Sequence, residues 1–324
     1  MKNEECLRGT FLSVFLLIFF IVTPCLAADD GGGIKTSSEL QLQVSTLPEA
    51  KLRFNQSFIF PFLQGSGPLV SGNNVDAVLT AELSPVSLNG VAEINWTPVA
   101  FLVLSGGALA GSGWNMILGD GIGLSEAIGP EDPGNPRKIE TNGSAFDGLL
   151  WQAWGAATLQ FDLGAVIPGD WNHVLFQTRQ EFRYAGYTRA SKGDFWVFEN
   201  DEKENQNGWV YYASYVLGYQ MPLSPVLNTV AFMAEMTKSL YNSPNGSVWG
   251  EGLGRWIFSG IFNFSFHPKF STAMIIQMRT WRNFGTSDLN SNDYYYPDLT
   301  LSDKGGQRRT LFYRAAFILS YRIH

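Results

Sequence analysis

Cysteine, charge and histidine are all scarce in this sequence, and no apolar run of membrane-helix length follows its first two dozen residues. Cys6 and Cys25 are the only cysteines among 324 residues, and both precede Ala27. A chain processed after Ala27 carries no thiol, which excludes disulfides and thiolate metal sites. Charged residues make up 16%, against roughly 25% in a typical soluble domain. A helical membrane protein would need several apolar runs of about 20 residues, and residues 28–324 contain none. The net charge of −7 is unchanged over residues 28–324, because Lys2 and Arg8 balance Glu4 and Glu5. No basic run is present to neutralise phosphates, so nucleic acid is not an expected partner.

What the chain has instead is 14% aromatic residues and 34 glycines. It opens with Lys2 and Arg8 ahead of an apolar run, Phe11 to Val22, and then Cys25-Leu26-Ala27. This is the layout of a secretory signal peptide over residues 1–27, cleaved after Ala27. A retained anchor is the competing reading, but the apolar run is short for a span. An exported β-protein without cysteine fits the envelope of a diderm bacterium, where the sequons at Asn142 and Asn245 mark turns.

The dominant pattern is alternation at period two, the mark of a β-strand with two unlike faces. In Arg255 to Pro268, Trp256, Phe258, Phe262, Phe264 and Phe266 share one parity, and Ser259, Asn263 and Ser265 share the other. In His173 to Arg189, Gln177, Arg179, Glu181 and Arg183 oppose Val174, Phe176, Phe182 and Tyr184. Similar patterns cover residues 149–162, 209–220, 228–240 and 309–323, where Leu311, Tyr313, Phe317, Leu319 and Tyr321 fall on the apolar side. A soluble sandwich would bury the aromatic faces. A membrane barrel would turn them to lipid and enclose the polar ones.

The connections decide between these readings. Residues 167–170, 221–225 and 267–269 are short, whereas 112–148, 190–208, 242–254 and 285–308 are long and rich in Gly, Asn and Asp. Short and long alternate along the second two-thirds of the chain, so one end of the sheet has tight turns and the other long loops. Outer-membrane barrels have this asymmetry. Trp and Tyr near the expected strand ends, among them Trp151, Trp209, Trp256, Tyr187, Tyr313 and Tyr321, suit interfacial girdles. Charges within strands, namely Arg179, Glu181, Arg183, Glu235, Arg279 and Arg314, fall mainly opposite the aromatics. An outward Arg at the bilayer midplane would cost roughly 2–4 kcal/mol.

The expectation is an all-β, closed, antiparallel up-and-down transmembrane barrel over residues 51–324, with about ten strands. It takes Asn89-Gly90 as a type I′ hairpin and residues 91–110 as one strand. Splitting that segment at Thr97-Pro98 and adding the alternating Glu39-to-Ser45 segment gives the alternative of about 12. Residues 28–50 are then a periplasmic leader or an extra strand that helps closure.

On these features the chain resembles the bacterial outer-membrane β-barrel class. Residues Ala81 to Val86 together with Trp96 to Leu102 resemble segments of uncharacterised spirochaete-type envelope proteins. The resemblance implies an outer-membrane location, with outer-membrane lipid and the barrel-assembly machinery as partners. Many members end in Phe; here Tyr321-Arg322-Ile323-His324 keeps the alternation without a final aromatic.

Catalytic candidates are thin. The three histidines, His173, His267 and His324, all fall at the short-turn end. Asn245-Gly246-Ser247 is similar to the Asn-Gly-Ser neighbourhood of the outer-membrane phospholipase, but a nucleophilic Ser247 needs a nearby His, and its own strand and loop offer none. No zinc spacing is present. Asp288, Asp293, Asp298 and Asp303 could draw calcium or read simply as a solvated acidic loop, and Glu199 to Glu204 reads as an exposed charge run. No cofactor, metal or catalytic residue is expected. The functional expectation is a narrow channel for small solutes, with Arg179, Glu181, Arg183, Glu235, Arg279 and Arg314 as lumen constriction and the 112–148 loop as lid or plug. A surface-interaction barrel with a closed lumen is the alternative, and a barrel-embedded lipid hydrolase the third.

Overall fold

The computed structural model describes residues 33–47, 49–114, 123–128, 138–139, 145–167, 169, 171–192, 194–199, 205–221, 226–240, 254–282 and 308–323. The strands are β1 (Lys35–Ser45), β2 (Ala50–Pro61), β3 (Asn74–Leu83), β4 (Ser87–Val99), β5 (Leu102–Gly113), β6 (Leu124–Ile128), β7 (Lys138–Ile139) and β8 (Leu150–Asp162). They continue as β9 (Val174–Tyr187), β10 (Phe195–Phe198), β11 (Gly208–Gln220), β12 (Leu227–Ser239), β13 (Arg255–His267), β14 (Phe270–Arg282) and β15 (Arg308–Arg322). Twelve of them form a closed antiparallel ring in the order β1-β15-β14-β13-β12-β11-β9-β8-β5-β4-β3-β2. The other three, β10-β6-β7, make a small separate sheet from the long loops. Ring strands run 10 to 15 residues, long enough for a span that needs about 9–11.

The alternative count of 12 is therefore the right one, and the preferred ten is corrected in two places. The expected hairpin at Asn89-Gly90 lies inside β4. The chain turns earlier, where the Ser84 N–H donates to the Ser87 carbonyl and the two serine hydroxyls meet at 2.8 Å. Pro98 has no N–H for the ladder, the β4–β5 register shifts between Trp96 and Val99, and the chain reverses at Ala100-Phe101. Residues 35–45 are an integral strand. Glu39 to Ser45 pairs with Arg322 to Ala316 and closes the ring.

The ring is inside out by the standards of a water-soluble protein. Leu79, Ile94, Phe182, Leu217, Phe232 and Phe312 are each more than half exposed. Trp256, Phe258, Phe262, Phe264 and Phe266 share the outward face of β13, where Trp256 stacks on Phe258 and Phe258 on Phe232 of β12. So much contiguous apolar surface exceeds what soluble monomers expose, and closure leaves no unpaired strand edge to face hydrocarbon. Polar residues on the outward face satisfy one another. The Ser38 hydroxyl donates to Gln56 Oε1 at 2.6 Å, Gln180 Nε2 donates to Thr178 at 2.7 Å, and the Tyr211 hydroxyl donates to Gln180 Oε1.

Aromatic girdles form where strands end. At the long-loop rim Tyr184 stacks on Trp151 and meets Trp209 edge-on. Two expected girdle members belong elsewhere. Tyr187 is 3% exposed and sits in an inner cluster. The β14–β15 register shifts between Gln277 and Met278, pairing Arg314 with Gln277 and Phe312 with Met278. Tyr313 is the extra residue of this bulge. The bulge turns Phe312 outward and puts Leu311 opposite the lumenal Arg279, correcting the expected apolar-face placement of Leu311 and Tyr313. Trp249 and Tyr241, which the sequence also places near strand ends as girdle residues, lie outside the described residues.

The closed ring predicts a simple result. Unboiled protein in SDS should migrate apart from boiled protein, because a ring without edges resists detergent until heated; identical mobility would contradict closure.

Candidate functional site

The lumen is built from the parity left over by the outward face. On one wall, the register sets Glu93 of β4 opposite Gly107 of β5, Gly107 opposite Trp154 of β8, and Trp154 opposite Arg183 of β9. Gly107 is required here: a Cβ would fall 2.5 Å from the Trp154 ring. The indole can then cross β5, and its Nε1 donates to Glu93 Oε2 at 2.8 Å.

Glu181 is the hub of this wall. It is 2% exposed and takes Arg179 on Oε2 at 2.9 Å and Arg183 on Oε1 at 2.5 Å. Arg179 also reaches Glu93 at 3.1 Å. Arg183 donates to Gln152 at 3.0 Å and lies 5.6 Å from the Trp154 ring centre and 5.9 Å from that of Tyr212. The Tyr212 hydroxyl donates to Glu235 at 2.7 Å. Such charges on one strand would repel or desolvate at high cost if unpaired, and the carboxylates of β4 and β9 offset that cost.

Of the six charged residues expected at a constriction, Arg179, Glu181 and Arg183 therefore join directly, and Glu235 joins through Tyr212. Arg279 and Arg314 form a second group on the β14–β15 wall. Both guanidinium groups lie over the Tyr313 ring, at 4.1 and 4.8 Å from its centre. Arg314 also donates to Gln277 at 2.6 Å and pairs with Glu49, from the β1–β2 turn. Gln277 in turn donates to Ser259 at 2.9 Å. Glu93, Trp154 and Tyr212 were missed from sequence. Glu93 alternates with Ala92 and Ile94 in a legible pattern, but reading Asn89-Gly90 as a turn hid it.

A third group ties loop to barrel. The β10-β6-β7 sheet packs on lumenal side chains at the long-loop end, where Leu124 and Trp196 join Leu150, Ala185 and Tyr187 in one buried cluster. Gly123, just before β6, has no room for a side chain: a Cβ would lie 2.0 Å from the Val86 carbonyl oxygen. Just after β10, Glu199 holds φ at 50°, a left-handed conformation unusual outside glycine. Its N–H donates to the Gly123 carbonyl. Its carboxylate takes Lys51 at 2.8 Å, Ser87 at 2.5 Å and Asn89 at 3.3 Å. Beside it Arg53 pairs with Glu82 at 2.6 Å. The expectation that Glu199 is simply exposed is thus corrected: three barrel side chains hold it. The expected lid region, 112–148, supplies β6 and β7, but the neighbouring long loop supplies β10 and the tie.

Among the described residues no group of His, Cys, Asp and Glu can hold a metal ion. His173 meets Asp162 at 2.9 Å at the short-turn end. Ser247, Asp288, Asp293, Asp298, Asp303 and His324 lie outside the described residues.

No protein-family model matches this sequence, and no curated protein matches it. Among solved structures the chain is similar to the NanC porin, at 7% identity over 88% of this chain and 98% of that one, with a TM-score of 0.37. It is also similar to the translocator domain of the autotransporter NalP from Neisseria meningitidis, at 10% identity, 99% and 98% coverage and a TM-score of 0.39. A third is OmpT, an outer membrane protein of Vibrio cholerae, at 6% identity, 91% and 98% coverage and a TM-score of 0.35. The chain's own features, a closed ring with apolar skin and inward charge, make it an integral outer-membrane β-barrel.

Proposed function

We propose that the barrel is a narrow, charge-lined channel for small solutes. The observation that supports this most is the accessibility of the inward charges. Arg183 is 33% exposed, Arg179 24% and Glu93 23%, although all three are paired. A lumen packed shut, as in barrels of about eight strands, would bury them. Arg179, Glu181 and Arg183 would then select solutes by charge on one wall, and Arg279 and Arg314 on the facing wall.

The small sheet at the long-loop end favours a second reading, a surface-interaction barrel whose lumen is stoppered. Planar-bilayer recording separates the two. The channel reading expects discrete conductance steps from refolded protein, and Arg179→Glu or Arg183→Glu should shift the reversal potential in a salt gradient towards cation preference. A barrel that folds but never conducts would favour the interaction reading, and charge reversal without effect would remove these arginines from the conduction path. A signal peptide over residues 1–27 and delivery by the barrel-assembly machinery complete the proposal.

A further inference from the structure

The structure has a second feature in its lumen, far from the Glu181 hub. At the short-turn mouth a cavity of about 590 Å³ opens between β13, β14, β15 and β1. We propose that this vestibule binds a small oxyanion, a solute bearing carboxylate or phosphate groups. The site does not depend on whether the lumen conducts; if it does, the site names the class of solute.

The argument begins with the register. Ser265 of β13 pairs with Ser271 of β14, and Ser271 pairs with Ser320 of β15. Three hydroxyls therefore lie side by side across three strands, all facing the cavity. Ser265 accepts a hydrogen bond from Asn228 Nδ2 at 2.7 Å, which leaves its own proton free to point inward. Ser271 and Ser320 make no side-chain hydrogen bond among the described residues. Each of these hydroxyls can turn its proton into the cavity as a donor, which suits an oxyanion.

Charge points the same way. Lys269, from the β13–β14 turn, and Arg322, near the end of β15, both line the cavity, as does His267. Neither Lys269 nor Arg322 makes a side-chain ion pair among the described residues. Four arginines deeper in the barrel differ: Arg53, Arg179, Arg183 and Arg314 each hold a carboxylate. The one acid in the lining is Glu39, which stands opposite Arg322 in the β1–β15 register. Its carboxylate takes the Gln41 amide at 3.1 Å and forms no ion pair with Arg322. Among the described residues, the other acids of this mouth are on other walls and engaged, Asp76 with Ser57 and Asp162 with His173. Two cations with no ion pair among the described residues, beside three aligned hydroxyls, form a site for a charge-assisted, multidentate contact. The volume is within the range of small-molecule sites.

Calorimetric titration of the full refolded chain in non-ionic detergent tests this, with inorganic phosphate, succinate and glycerol as probes. The proposal expects saturable binding of phosphate or succinate and none of glycerol; the preferred probe tells a phosphate from a carboxylate ligand. The double variant Lys269→Gln/Arg322→Gln should weaken binding by about tenfold or more. Arg189→Gln, which alters an exposed pair with Asp147 at the opposite end, should leave it unchanged. Absence of saturable binding, equal binding of glycerol, or equal loss in both variants would overturn the site. Bilayer recording on the same samples keeps the two ideas apart. Conduction without anion binding removes the vestibule and spares the channel, and binding without conduction does the reverse.

Discussion

Replacing Glu181 with glutamine should lower the stability of the folded barrel by about 3 kcal/mol, the lower end of the range for breaking a buried ion pair. The lower end applies because Arg183 remains one-third exposed and water can screen it. Glutamine keeps the size of Glu181 and removes its charge, so the loss isolates the electrostatic part. Arg179 keeps Glu93, whereas Arg183 falls back on Gln152 and two aromatic faces. The same change leaves an excess of positive charge on this wall, so ion preference should move towards anions. Urea titration of protein refolded in lipid vesicles reads the first effect and the reversal potential reads the second. An unchanged urea midpoint would show that Glu181 is not the hub, and the double variant Glu181→Gln/Arg183→Gln should recover part of the loss.

The second large effect discriminates inside from outside within one strand. Phe232 is 52% exposed on the outward face of β12 near its middle, and Ala231 beside it faces the lumen across from Gly218. Phe232→Arg should cost about 2–4 kcal/mol in a bilayer, the price of a guanidinium near the midplane. Ala231→Arg puts the same group into a polar interior next to a glycine and should cost far less. Comparing the two by vesicle refolding measures the difference directly. Equal costs, or a greater cost for Ala231→Arg, would reverse the assignment of the two faces.

Much of this architecture could be read from residue order alone, and the reasons are physical. Hydrocarbon punishes outward charge, so β9 and β13 had to separate Arg179, Glu181 and Arg183 from Phe182, and Ser259 and Asn263 from Phe258 and Phe262. That separation has a period of two and needs no knowledge of partners. Where a strand departs from even pleating, the reading failed. The bulge at Tyr313 turns Leu311 from one side to the other, and nothing in Leu311-Phe312-Tyr313-Arg314 announces it. Asn89-Gly90 is a turn by local preference, yet its neighbours in the ladder hold it extended within β4. The site itself was half legible. Charges within strands were found, but their partners depend on register: Glu93 and Arg179 are 86 residues apart. Glu199 was the least legible of all, since a carboxylate in a polar run gives no sign that Lys51 awaits it.

The ring's seam has one more consequence. The β1–β15 ladder pairs residues 39–45 with 316–322, with one further backbone bond beyond each end, while the β8–β9 ladder covers its strands almost throughout. The two partners of that seam are also the first and last elements of the ring, separated by nearly the whole polypeptide. Every other hairpin can zip with its neighbour as it emerges, but this junction must wait for both ends to arrive, and the entropy of so long a loop makes it the slowest to form. The circle therefore fastens last, along its shortest stitch, and an unravelling barrel should come apart there first.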